Sequence, residues 1–221
     1  MVELQDAAFL LRRIAYGDSS YIIHVLGQSH GRLTLMARGA RRPKSPFRAS
    51  LEPLHMLHLT WRPGRTGMGT LVDVDRGVEM VNGAHSPEGL QLCAVAAHIF
   101  QEGDPQGFDE LQRAFGLLAT RSPQDGMLAG VWSLLDDHGL LGPLDHCWQC
   151  GSASEQLFWS EAECRCKVCG GGEMLNPGLR RAVPAVMTSA RVKLSAADLT
   201  MWARMIQDVL RRHGIRPMNV V

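Results

Sequence analysis

The chain has 221 residues, 45% of them hydrophobic and 20% charged, and a formal net charge of +1. Such a chain can bury a real core in one or two domains. No apolar run approaches the roughly 18 to 20 residues of a membrane helix, and Met1-Val2-Glu3-Leu4-Gln5-Asp6 has neither the charged n-region nor the apolar h-region of a secretory signal, so no membrane partner is expected and a reducing cytoplasm is the expected location.

Five short segments lead the chain, 8–14, 20–26, 32–38, 54–62 and 69–75, each rich in β-branched or apolar residues and bounded by Gly, Pro, Ser or Asp. Five strands fit a small barrel. In the third, Leu33, Leu35 and Ala37 alternate with Arg32, Thr34, Met36 and Arg38; in the fourth, Leu57, Leu59 and Trp61 alternate with Met56, His58, Thr60 and Arg62. One alternation therefore yields an apolar inner face and a basic outer one. Between these strands, the prolines and glycine of Gly39-Ala40-Arg41-Arg42-Pro43-Lys44-Ser45-Pro46 forbid regular structure and predict an exposed basic loop.

Residues 31–65 hold eight basic side chains, Arg32, Arg38, Arg41, Arg42, Lys44, Arg48, Arg62 and Arg65, against the single acid Glu52, so this stretch carries +7 and the rest of the chain −6. A surplus of one sign is the footprint of a polyanion site, whereas a merely solvated face mixes signs. Phe47 and Trp61 are the only aromatic rings in the stretch, which limits base stacking and favours contact with a phosphate backbone.

After Asn82-Gly83 the pattern becomes helical. Ser86-Pro87 predicts an N-cap and a first-turn proline, followed by Leu90, Cys93, Ala94, Ala97 and Ile99 at helical spacing. A second helix covers 108–118. Ser122-Pro123-Gln124-Asp125 starts a third, whose Leu128, Val131, Trp132 and Leu135 lead to a stop at Gly139. These stripes read as core, Cys93 included.

Two knuckles follow, Cys147-Trp148-Gln149-Cys150-Gly151 and Cys166-Lys167-Val168-Cys169-Gly170, separated by fifteen residues. Paired at this spacing they predict one structural Zn²⁺ per chain held by Cys147, Cys150, Cys166 and Cys169, with every position filled by thiolate and none open for catalysis. Cys164 shares a strand face with Cys166, so either could approach the metal; Cys166 alone makes the two-residue spacing with Cys169 and is chosen. His146 is expected as a neighbour. Farther on, Asn176-Pro177 opens a helix, and Ser195-Ala196-Ala197-Asp198 opens the last one, with Leu199, Trp202, Met205, Ile206, Val209 and Leu210 on one face. Arg211, Arg212 and His213 in its final turn suit the helix dipole and are expected as caps, not as DNA ligands.

A Gly-rich phosphate loop, a His-Glu-x-x-His motif and a nucleophile elbow are all lacking. The alternative class, a nucleic-acid-acting or small-molecule enzyme with a structural zinc, rests on Asp73 and Asp75, which alternate at a strand end and more simply are solvated. The chain is expected not to be an enzyme. A zinc-ribbon transcription factor would want base-reading residues at the knuckles, where Trp148, Gln149, Lys167 and Val168 offer one charge.

The order of barrel, helices and four-cysteine knuckle resembles the RecO family of bacterial DNA repair proteins. The resemblance is carried by Gly31-Arg32-Leu33-Thr34-Leu35-Met36-Ala37-Arg38-Gly39-Ala40-Arg41-Arg42-Pro43-Lys44-Ser45, by Leu51-Glu52-Pro53-Leu54, and by Leu134-Leu135-Asp136-Asp137-His138-Gly139-Leu140 leading to the first knuckle. It implies an α+β protein: a five-stranded OB-fold barrel at 1–80 that binds DNA, and a helical domain at 81–221 with a zinc-binding insertion at 144–175. It also implies binding of single- and double-stranded DNA, annealing of complementary strands, and work with RecR and the C-terminal tail of single-strand-binding protein to place RecA on gapped DNA, in a cytoplasmic, nucleoid-associated setting. The eight basic residues then become the DNA contacts, and the helical half, with Arg113, Arg121, Arg180 and Arg181 as a basic rim, becomes the protein-docking half. The family ending Gly-x-x-Pro-Leu-Lys-Ser-Arg reads here Gly214-Ile215-Arg216-Pro217-Met218-Asn219-Val220-Val221.

Overall fold

A computed structural model describes residues 2–65, 67–188 and 192–215; the departure from the family ending at 216–221 lies outside the described residues. The chain begins with strands β1 (Leu4–Tyr16), β2 (Ser20–Gly27) and β3 (Gly31–Ala37), a short helix α1 (Phe47–Ser50), and strands β4 (His55–Arg62) and β5 (Gly69–Glu79). The five strands close in the order β1-β2-β3-β5-β4, antiparallel except for β3 against β5, which is the OB-fold arrangement. Alternation sets the interior: Ala8, Leu10, Ile23, Val25, Leu35, Leu57, Leu59 and Trp61 all point inward and are buried. A bulge between Leu10 and Arg12 shifts the β1 register, and the strand runs two residues past its predicted end.

Helices α2 (Ser86–Ile99), α3 (Phe108–Ala119) and α4 (Pro123–Asp137) pack beside the barrel. Ser122 caps α4 as expected, its Oγ accepting the Asp125 N–H at 3.2 Å. Ser86 does not cap α2. A 3₁₀ turn over Gly83–His85 runs straight into the helix, so Ser86 already has helical dihedrals and its hydroxyl turns back to Asn82. A three-stranded ribbon follows, β6 (Leu157–Ser160), β7 (Glu163–Cys166) and β8 (Glu173–Met174), then α5 (Pro177–Met187) and α6 (Ala196–Arg212).

The apolar core does not respect the junction near residue 80. Phe9, Leu11 and Leu26, on the outer face of the barrel, join the same buried cluster as the helices and the ribbon. Phe9 stacks on Phe108 with centroids 4.6 Å apart and meets Phe115 edge-on at 5.4 Å. The link between α2 and α3 also crosses the start of β3: at Gly31, with φ of +60°, a Cβ would stand 1.6 Å from the Asp104 carbonyl oxygen, so only glycine fits. Among the described residues no helix is long and apolar enough to cross a membrane.

Candidate nucleic-acid interface and four-cysteine centre

The basic loop is fixed at both ends. Ala40 and Leu51 are buried in the barrel core at 0% and 1% exposure, so residues 41–50 form an arch. Within it the chain advances by consecutive turns, with Arg42 N–H donating to Gly39 O at 3.0 Å, Ser45 N–H to Arg42 O at 3.0 Å and Arg48 N–H to Ser45 O at 3.2 Å. The arch is tied to the β1–β2 turn: the Arg41 N–H donates to Ser19 O and its Nη1 to Gly17 O, both at 2.8 Å. Arg38, Arg42, Lys44 and Arg48 are exposed, and among the described residues none of them forms an ion pair.

Strand register brings the β4–β5 hairpin to the same side. Met36 pairs with Thr70 and Thr70 with Arg62, a row across three strands on the outer face. Arg62 and Arg65 therefore lie beside the end of β3, where the loop departs. Arg65 is exposed, and Arg62 contacts Glu3 at 2.5 Å.

Arg32 stands apart from the other seven. Its Nη1 donates to Ala97 O at 2.8 Å and Phe100 O at 3.0 Å, satisfying carbonyls at the C-terminal end of α2, and its Nε is buried without a partner. Alternation put this side chain on the outer face; the α2–α3 link covers that part of the face, which strand periodicity does not reveal. The two aromatics of the stretch are also withdrawn, Trp61 at 6% exposure inside the barrel and Phe47 packed against its core. Among the described residues of the barrel strands the exposed ring is Tyr16, at the end of β1, with half-buried Tyr21 nearby carrying the Arg13 guanidinium 5.9 Å from its centroid. These lie outside the basic stretch.

The knuckles converge. The Sγ atoms of Cys147, Cys150, Cys166 and Cys169 all lie within 4.8 Å of one another, and those of Cys150 and Cys166 are 3.8 Å apart. A tetrahedron with Zn–S bonds of about 2.3 Å has sulfurs about 3.8 Å apart, so the donor set fits zinc in number, softness and spacing. The first knuckle turns on Gly151, with φ of +70° and its N–H on Cys147 O at 2.9 Å; Gly170 at the second does not adopt that conformation. Backbone N–H groups of Cys166 and Cys150 bring the Cys147 thiol down to about 6, and that of Cys169 lowers Cys166. Cys169 donates its S–H to the Cys150 and Cys166 sulfurs, which favours its protonated form and pushes its thiol up. Cys164 is outside the cluster, buried at 1% exposure, and burial pushes its thiol up to about 11. Cys93 is likewise buried, and half-buried His146 meets Asp145 at 2.7 Å. Among the described residues the four cysteines are the one such group close enough to share an ion; Asp73 and Asp75 stand opposite Thr60 and His58 on β4.

The ribbon is clamped to the last helix. Trp159 Nε1 donates to Asp208 at 2.9 Å, Arg212 pairs with buried Glu163 at 2.5 Å and donates to Glu161 O at 3.0 Å, and Arg204 pairs with Glu173. Arg212 thus bridges to the ribbon instead of capping its own helix. A groove of about 1050 Å³ runs between α3, α4, α5 and α6. Arg113 and Arg121 line it, but so do Asp125, Asp136 and Asp137; Arg113 is paired with Asp137 at 2.8 Å, and Arg121 donates to Leu117 O and Val186 O. Arg180 is engaged outside the groove with Leu144 O and Glu155 O, and Arg181 is exposed.

Residues 1–76 match the family described as "Recombination protein O N terminal". The chain is similar to the DNA repair protein RecO of Glaesserella parasuis serovar 5 (strain SH0165), 41% identical over 71 residues, 32% of this chain and 28% of that protein. It is 33% identical over 147 residues to that of Polaromonas naphthalenivorans (strain CJ2), covering 63% of this chain and 59% of that one. Against the RecO of Myxococcus xanthus (strain DK1622) the identity is 30% over 184 residues, 77% of this chain and 74% of that protein. The shared span is thus less than a third of the Glaesserella protein and about three quarters of the Myxococcus one. With that N-terminal match and a relative 30% identical over 77% of this chain and 74% of its own length, the chain belongs to the RecO family of DNA repair proteins.

Proposed function

We propose that this protein is a recombination mediator that binds single- and double-stranded DNA through the open basic side of its barrel and anneals complementary strands. The observation that carries this is the group of exposed cations that have no carboxylate partner among the described residues, Arg38, Arg42, Lys44, Arg48 and Arg65, with Arg41 and Arg62 beside them. Guanidinium and ammonium groups that are not internally neutralised are free to displace counterions from phosphates. Neutralising two strands at once lowers their repulsion, and contacts with phosphates leave the pairing edges of the bases free. Arg32 is excluded from the set because its guanidinium is engaged at the end of α2.

Residues 1–80 are the DNA-binding part and residues 81–221 the part that docks proteins, as a division of labour and not as separately folding units, since they share a core. Zn²⁺, one per chain, is held by Cys147, Cys150, Cys166 and Cys169, and when bound it would supply a crosslink between the first knuckle and the turn that follows β7. Glu163 and Trp159, on opposite faces of the ribbon, tie it to α6 through Arg212 and Asp208. No chemical step is assigned to the metal or to any side chain. RecR and the tail of single-strand-binding protein are the partners that family membership supports, with RecA placed on gapped DNA as the outcome, in the nucleoid region of the cytoplasm. An acidic tail entering the groove between α3 and α6 would take Arg113 from Asp137.

The test is strand annealing and DNA binding at two salt concentrations, with metal analysis on the same sample. Annealing activity, affinity that falls steeply with salt, and one zinc per chain are expected; salt-insensitive binding would overturn the electrostatic account.

A further inference from the structure

The outer face of β1, β2 and β3 divides into two parts. Phe9, Leu11 and Leu26 lie under the helices and are buried. Beyond them, cross-strand pairing builds three successive rows: Arg12, His24 and Thr34; then Ile14, Ile22 and Met36; then Tyr16 and Ser20. The middle row is apolar, half-exposed, and belongs to neither core cluster. An antiparallel sheet that packs one face on its core ordinarily presents polar side chains on the other. Here an aliphatic strip faces outward, with Tyr16 at its end 55% exposed.

The strip is bordered by cations. Exposed Arg12 stands in the row on one side, and Arg38 follows Ala37, the partner of Tyr21, on the other. Two acids flank the strip: Glu102 accepts from Thr34 Oγ1 in the Arg12 row, and Asp18 lies in the turn that Arg41 closes through Gly17 O. A nucleobase presents an apolar π-face between phosphates, which matches an apolar strip between guanidinium groups. A second copy of the chain matches it poorly, because a self-complementary contact would set like charges against each other.

We propose that Ile14, Ile22, Met36 and Tyr16 form a nucleobase-binding strip, with Tyr16 as the stacking ring, so that the protein holds single strands by their base faces and leaves the Watson–Crick edges open for pairing. This rests on the DNA-binding reading above and adds to it a base contact, which a phosphate-only surface lacks.

The experiment is a fluorescence-anisotropy titration of an oligothymidine and of an abasic strand of equal length with the full chain. Tyr16→Ala weakens oligothymidine binding by roughly tenfold, the size of one lost stack, and leaves abasic binding unchanged. Tyr16→Phe retains the parent affinity on both strands. Met36→Gln gives a smaller loss, again confined to the strand with bases. Equal losses on both strands, or no loss on oligothymidine, overturn the strip. The combined Arg38→Ala, Arg42→Ala, Lys44→Ala variant separates the two readings. It weakens both strands if the basic surface is the DNA site, whatever Tyr16 does, and leaves both unchanged if that reading is the one that fails.

Discussion

The arginines of the barrel and those of the helical body are one residue type in opposite circumstances. Around the ribbon and α6, Arg165, Arg204 and Arg212 each face a carboxylate, and Arg180 is hydrogen-bonded to two carbonyls. Around the basic loop, Arg38, Arg42, Lys44 and Arg48 face solvent. The net charge of +1 is therefore the sum of +7 at 31–65, where most cations are open, and −6 elsewhere, where the arginines just named are engaged. The difference teaches that a cation in sequence becomes a binding residue only where the fold gives it no partner.

The largest effect that would sharpen this contrast is on the metal. Cys→Ser at Cys147, Cys150, Cys166 or Cys169 is expected to remove zinc from one equivalent to near none, and to cost several kcal/mol, or about 10 °C of melting temperature for a chain of this size. Cys164→Ser keeps the metal and costs only the burial of a hydroxyl, about 1 to 3 kcal/mol. Metal analysis and thermal melting check both, and loss of zinc in Cys164→Ser alone would break the ligand assignment. Acid acts on the same region. Protons compete with the metal for thiolate. Burial raises the Glu163 pKa, but Arg212 and Arg165 outweigh it and hold the carboxyl below its ordinary value. That contribution is complete above the unfolded value near 4.5 and is lost as pH falls through the depressed one. Zinc release and loosening of the ribbon are therefore expected on acidification.

Next in size is Arg212→Ala, which leaves buried Glu163 with Arg165 alone and is expected to lower stability by about 1 to 3 kcal/mol without changing DNA affinity. Arg32→Ala, which removes two charge-assisted bonds to the end of α2, is expected to cost about 1 to 2 kcal/mol in denaturant melts and to leave the salt dependence of binding as it was. If DNA affinity fell with either, paired cations would also be contributing and the comparison would fail. The smallest effect concerns the groove: Asp137→Asn frees Arg113 and is expected to raise affinity for an acidic tail peptide severalfold by calorimetry, whereas a drop in affinity would move that docking site elsewhere.

The strands and the long helices were legible in the sequence because period-2 and period-3.6 patterns encode local burial, and the knuckle spacing encoded a cluster whose ligands are local pairs. What escaped was long-range. Arg32 and Arg38 sit on one strand face with the same alternation, and only the position of the α2–α3 link separates a helix-end partner from a free cation. Ser86 had the right chemistry for a cap and lost it to a preceding turn. Tyr16 fell beyond the predicted strand because β1 goes on pairing with β2 to its turn, and Arg212, expected to serve α6, reaches the ribbon.

The central claim is tested most directly by the slope of log affinity against log salt for a single strand, compared between the parent and the Arg38→Ala, Arg42→Ala, Lys44→Ala variant. Each lost phosphate contact flattens the slope by about 0.7, so the variant is expected to bind more weakly and with a slope shallower by about 2. An unchanged affinity and slope would contradict the account, because the open cations of the barrel would then not be where DNA is held.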